Sequence, residues 1–211
     1  MPKPAPSAPA APPVPRDDKA ARILEAALAA FARYGFRRAS IDDVAREAGV
    51  AKGTVYLYHE SKEALFRAVS QGVIDRLLAA AEEARRAEGS AAERTRLVLE
   101  AKFLSLYDLV FSSPHAAEIL DSKGRLSADL FEAADRRYQA LLAAVLGEGV
   151  EAGELDLAGA GLTPATAAAF LVRCGHGIGS PENAGGLPSR EVYRRRLGEL
   201  VRVVLHGLAP R

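Results

Sequence analysis

The chain has 211 residues, 49% of them hydrophobic and 26% charged, which suits one large or two modest globular domains and excludes a wholly disordered chain. Its formal charge of +1 excludes a global basic field, so affinity for nucleic acid would have to come from local clusters of cations. A single cysteine, Cys174, excludes an internal disulfide, and no C-x-x-C or histidine-rich spacing suggests a metal site. A reducing cytoplasm is therefore the expected compartment, with no metal and no cofactor.

Residues 1–16 are dominated by Pro, Ala and Ser, which denies a helix its amide donors and leaves little apolar side chain to pack. A disordered arm is expected there. It lacks the continuous apolar run of a signal peptide, and no later stretch approaches the ~18 apolar residues that a membrane span needs. Asp17 or Asp18 opens the first helix, in which Ile23, Leu24, Ala27, Leu28 and Phe31 form an apolar stripe. Gly35 ends it, and Phe36 packs back. Arg33, Arg37 and Arg38 flank that turn, as phosphate-facing groups or as a solvated face.

Ser40 is a good N-cap, with Asp43 three residues on as a short capping-box acid, so a helix starts at Ile41. Gly49 stops it, because glycine takes a positive φ without steric cost. Only Gly49, Val50 and Ala51 separate it from a second helical run, Lys52 to Tyr58, and two short helices on a glycine turn make a helix-turn-helix. Ile41, Val44, Ala45 and Ala48 fall on one face, which Val50 and Val55 can cover. Lys52, Gly53, Thr54, Tyr56, Leu57 and Tyr58 are left free, together supplying a cation, a hydroxyl, two phenols and an aliphatic group suited to phosphates, base edges and a thymine methyl. Ser61 caps the next helix, and Lys62 in its first turn makes sense if an anion lies nearby.

That helix runs to about Arg86, with Leu65, Phe66, Val69, Val73, Leu77 and Leu78 as its spine. Ala91 to Phe111 follows, apolar all round and hence buried on most sides. A short element from Ser113-Pro114 reaches about Asp121, and a long helix spans Leu126 to Gly147. Thr163-Pro164 opens a helix to about Ile178, S-P-E-N-A-G-G-L-P is a loop, and Ser189 opens the last helix. The expectation is an all-α fold of about nine helices. Glycines 175, 177 and 179 do not sit between a strand and a helix, so they are no dinucleotide loop and instead permit close helix approach.

The run from Ile23 to Leu65 resembles the N-terminal domain of the TetR family of transcriptional regulators. That pattern is an amphipathic helix, a G-F turn, Ser/Thr-I-x-x-V-A-x-x-A-G-V, K-G-T-hydrophobic-Tyr and S-K-E-x-L, matched by Gly35-Phe36, Ser40 to Val50, Lys52 to Tyr56 and Ser61 to Leu65. Two positions depart from it. Ala51 stands where the family often has a capping Ser, a change costing about 1 kcal/mol. His59 stands where Phe is usual, either as a packed aromatic substitute or as a phosphate-facing cation.

The resemblance implies a helix-turn-helix DNA-binding domain over 17–62 and a helical effector-binding and dimerisation domain over 63–211. The function it implies is a homodimeric transcriptional repressor on a pseudo-palindromic operator, responsive to a small molecule. Ser40, Lys52, Gly53, Thr54, Tyr56, Leu57, Tyr58 and Lys62 are the expected DNA-binding residues. Leu197, Leu200, Val201, Val204 and Leu205 form one stripe on the last helix, where the family dimerises. Phe103, Tyr107 and Phe111 recur at i, i+4 and i+8, and with His115, Tyr138 and His176 they are the candidate effector-binding residues. An effector there would tilt the helix that carries Lys62. The runner-up is a helical small-molecule-binding or scaffold protein without specific DNA binding. An enzyme is not expected: Cys174 and His176, two apart on a helix, point about 200° apart and cannot readily meet.

Overall fold

The computed structural model describes residues 16–111, 113–179 and 188–208. Nine α-helices and no strand are found among them, as the sequence predicts. The expected arm over 1–16 lies outside the described residues except for Arg16, which begins α1 (Arg16–Arg38). Gly35 breaks that helix with φ 77° and ψ 161°. The positive φ is what calls for glycine; a Cβ there would also come within 2.6 Å of a Glu118 carboxylate oxygen, which that flexible side chain would have to move to relieve.

The turn at Gly35 returns Phe36 to the domain core, where the rings of Phe31, Phe36 and Phe66 lie 5.1–5.6 Å apart in tilted and edge-on contacts. Next, α2 (Ile41–Ala48) is closed at its start by a reciprocal capping box between Ser40 and Asp43 and at its end by Gly49 at φ 64°. Helix α3 (Lys52–Tyr58) has no side-chain cap at Ala51, as the sequence implied. Ser61 caps α4 (Lys62–Arg85) by accepting from the Ala64 amide at 3.0 Å.

Two hydrophobic cores meet along α4. The first gathers α1, α2, α3 and the α4 residues Leu65, Phe66 and Val69; the second begins at Ile74. The seam therefore falls inside α4, several residues beyond the 62/63 boundary expected from sequence, because the aromatic trio needs Phe66.

Helix α5 (Ala91–Leu106) packs between α4, α7 and α9 and is buried as expected, then loosens into a π-helical turn over Tyr107–Phe111. The short element is longer than predicted: α6 spans Ala116–Leu126 and runs almost directly into α7 (Ala128–Glu151). They join at Ser127, a buried residue whose hydroxyl donates to the Ser70 hydroxyl of α4 at 3.2 Å. A polar, buried junction has no turn-residue signature, which is why the sequence places it wrongly.

Helix α8 (Pro164–Gly179) uses two of its three glycines for close approach: a Cβ on Gly175 would meet the Phe103 ring at 2.4 Å and one on Gly179 the Tyr193 ring at 2.4 Å, whereas one on Gly177 would meet nothing within 4 Å. The loop that follows lies, over residues 180–187, outside the described residues. Helix α9 (Arg190–His206), capped by Ser189, lays its stripe against α5 and α8. Leu197 is 0% exposed, and Val201 and Leu205 are also buried in the chain's own core. These three are therefore corrected from interface to interior. Leu200 and Val204 pack on the same core but are only partly buried.

Candidate nucleic-acid interface and interior cavity

Packing decides which side of α3 faces out. Val55 is fully buried beneath the helix-turn-helix, which turns Lys52 and Gly53 to solvent and leaves Tyr56 46% and Leu57 85% exposed. Thr54 and Tyr58 are half-buried at the edges of that face. Leu57 and Tyr56 side by side form an exposed apolar patch on α3 that adds little to this chain's core. The Lys52 ammonium meets Asp42 at 2.8 Å, an exposed pair that raises the lysine pKa and that a phosphate could displace at little cost.

Two predicted DNA-binding residues have other work. Ser40 donates its hydroxyl proton to Asp43 at 2.6 Å and accepts from the Asp43 amide at 3.1 Å, so its side chain is occupied in the cap. Lys62 donates to the carbonyls of Phe36 (2.9 Å), Arg37 (3.2 Å) and Ala39 (3.1 Å), with its ammonium 4.7 Å from the Phe36 ring centroid. An ammonium has three donors, and all three are used. Lys62 is thus the lock on the α1 to α2 turn rather than a phosphate donor. His59 is half-buried, and burial pushes its pKa below the ordinary value, which favours the packed neutral ring.

A cavity of about 290 Å³ lies where the two cores meet. Its wall is mostly apolar and takes side chains from both, including Leu28 and Phe31 of α1, Phe66 and Val73 of α4, and Phe103 of α5. Of the six residues predicted for an effector site, Phe103 and His176 line it, with their rings edge-on at 5.0 Å. Tyr107 stands behind the wall, 6.1 Å from the ring of Tyr193, which does line it. Tyr138 is corrected to a core residue: it is buried, and its hydroxyl donates to the Val98 carbonyl at 2.7 Å, so it needs no ligand. His115 precedes α6 and is not part of the wall. The side chain of Phe111 lies outside the described residues.

Sequence reading missed the polar side of this cavity. Lys123 of α6 and Phe131 of α7 both line it, with the ammonium 4.3 Å from the ring centroid. The signal was Ile119, Leu120 and Lys123 along one face of a helix whose length was underestimated. Close by, buried Lys102 is ion-paired with Asp135. Burial lowers the pKa of Lys123, which Asp135 partly offsets, and lowers that of His176, reinforced by the positive charge of Lys102.

Side-chain bonds tie α1 and α4 of the first core to the helices around the cavity. Glu118 of α6 accepts from the Arg37 amide at 2.5 Å, and Ser113 donates to the Ala32 carbonyl at 2.6 Å, both tying the end of α1 to α6 and the segment just before it. Arg67 of α4 makes a two-bond contact with Asp129 of α7, each at 2.8 Å, which pulls the Asp129 pKa down to about 2.

Residues 23–69, which hold the first core and all of α3, match the family described as bacterial regulatory proteins, tetR family. Over that stretch the chain is similar to the tetR family. It is 32% identical over 111 residues to the HTH-type transcriptional activator FasR of Mycolicibacterium smegmatis, a match covering 50% of this chain and 51% of FasR. It is 28% identical over 135 residues to a fatty acid metabolism regulator protein of Bacillus subtilis, covering 64% of this chain and 69% of that protein. The matched region thus spans about half the length of FasR.

Solved tetR-like folds extend over most of the chain. A transcriptional regulator from Cytophaga hutchinsonii superposes with a TM-score of 0.75 at 18% identity, covering 92% of this chain and 100% of that one. The regulator FadR from Bacillus subtilis, solved in complex with stearoyl-CoA, gives 0.64 at 19% identity, covering 90% and 99%. At such identities the likeness is one of fold. No helix among the described residues is long and apolar enough to cross a membrane.

Proposed function

We propose that this chain is a homodimeric, ligand-responsive DNA-binding transcriptional regulator of the tetR family, not an enzyme, acting in the cytoplasm as a repressor on a pseudo-palindromic operator. The observation that carries this is the outward face of α3, where Leu57 at 85% exposure and Tyr56 at 46% stand beside Lys52 on a helix held by a capped partner. A helix so mounted fits the major groove. In the complex Lys52 exchanges Asp42 for a phosphate, while Thr54 and Leu57 meet base edges and Tyr56 and Tyr58 flank the backbone. The family match and the regulator relatives support the same reading.

The cavity is the effector site of this reading. Its apolar wall suits an aliphatic or aromatic compound, in keeping with the fatty-acid regulators among the relatives and with the stearoyl-CoA held by one protein of the same fold. Because Leu28 and Phe31 of α1 belong to the wall, an occupant touches the DNA-reading domain itself. Occupancy shifts DNA affinity only by the difference in its binding to the two states.

Footprinting on the DNA upstream of the protein's own gene tests the proposal. Protection of two half-sites about one helical turn (~34–36 Å) apart, or a multiple of it, is the expected result. Retention that competitor duplex abolishes entirely would leave a helical small-molecule binder instead.

A further inference from the structure

The charges around the cavity do not cancel. Lys102 and Asp135 pair with each other, and the burial-depressed His176 is neutral at pH 7. Lys123 makes no salt bridge among the described residues, although it lines a mostly apolar wall. A lysine that served only to cover apolar surface would carry its ammonium out to bulk water. This one is held 4.3 Å over Phe131, in a position that burial penalises. The local balance is therefore one net positive charge, two cations sharing Asp135, beside a mostly apolar space, with an imidazole in the same wall to offer or accept one hydrogen bond.

We propose that the cavity takes a monoanionic amphiphile, its carboxylate seated against Lys123 and its apolar tail lying among side chains of α1, α4 and α5. This rests on the reading of the cavity as the effector site and specifies the ligand for it. A neutral lipid would leave the half-buried Lys123 with only Asp135, already paired with Lys102, as its counter-charge. A polyanion would bring several charges to one net positive charge and meet Asp135 beside it. A free fatty acid or an aryl-alkyl carboxylic acid fits both the count of charges and the apolar wall, whereas the thioester of a coenzyme A conjugate presents no charge at the acyl end.

Isothermal titration of the full chain without DNA tests this, with decanoate, decanol and decanoyl-coenzyme A as probes and wild type, Lys123→Met and Lys123→Arg as proteins. Methionine keeps the length and apolar stem of lysine while removing its charge. The expected result is that Lys123→Met lowers the decanoate-to-decanol affinity ratio by about 10- to 100-fold, the range for a hydrogen bond to a charged group. Decanol binding persists in that variant, which shows the cavity intact, and Lys123→Arg recovers most of the ratio. An unchanged ratio in Lys123→Met, or decanoyl-coenzyme A binding wild type more tightly than decanoate, overturns the proposal while leaving the cavity as a neutral or thioester site. Failure of all three probes to bind overturns it together with the effector reading. Operator footprinting is untouched by any of these outcomes, so DNA binding stands or falls separately.

Discussion

At the scale of single residues, local signals were legible in the sequence and distant partners were not. The Ser40 capping box and the Gly49 stop involve neighbours three to five positions apart, and both form as predicted. The sequence points to Lys62 as an anion ligand, because a cation in the first turn opposes the helix dipole; in the structure its partners are carbonyls 23 to 26 residues upstream, which no local pattern reports. The two roles make opposite predictions. Lys62→Met is expected to lower stability by about 1.5–3 kcal/mol, as a multiply used charged donor is lost, with weaker DNA binding only in proportion to unfolding. Chemical denaturation and gel-shift titration on the same samples separate these effects. On α3, Tyr56→Ala is expected to weaken all duplexes alike, whereas Leu57→Ala and Thr54→Ala change the preferred sequence by about 1–3 kcal/mol per contacted base. Unchanged binding by all three would remove α3 from the interface.

At the scale of elements, amphipathic stripes gave nearly every helix, and errors gathered around α6. Its 11 residues carry few strongly apolar positions because α6 does not sit deep in a core; it bridges α1 to the wall of the cavity. The bridge depends on Gly35. Gly35→Ala would place a methyl 2.6 Å from the Glu118 carboxylate at a backbone φ of 77° that alanine rarely adopts. A loss of about 1–3 kcal/mol is expected from backbone strain with the clash added. Glu118→Ala in the same chain should recover the clash but not the strain, and a double-mutant cycle by thermal unfolding measures the split. The Arg67 bridge from α4 to α7 adds a pH dependence. Asp129 has its pKa depressed from the usual 3.8 to about 2, so the contribution of this pair is complete above about pH 4 and fades as pH falls toward 2. Asp129→Asn should flatten that part of the acid-unfolding curve; an unchanged curve would mean that solvent screens this exposed pair fully.

For the whole molecule, the sequence showed that α9 is amphipathic but could not say what covers its stripe, since periodicity is the same whether the partner helix belongs to the same chain or to another. The chain's own α5 and α8 take Leu197, Val201 and Leu205. What is left outside is a different set: Phe170 of α8 at 45% exposure and Val203 of α9 at 76%, with Leu200 and Val204 of α9 only partly covered. Two helices per chain, each with an exposed large apolar side chain, suit a four-helix contact formed by a two-fold axis, in which every residue is used twice. The two sets then respond differently to charge. If the proposed dimer forms through this face, Phe170→Arg with Val203→Arg puts unpaired cations into it and is expected to give a folded monomer, with unchanged helical content by circular dichroism and half the mass by light scattering. Leu197→Arg buries a cation in the chain's own core and is expected to cost several kcal/mol, unfolding the second core before any change in assembly is seen. A dimer that survives the double substitution would move the contact away from α8 and α9, and with it the geometry that sets the distance between the two α3 helices.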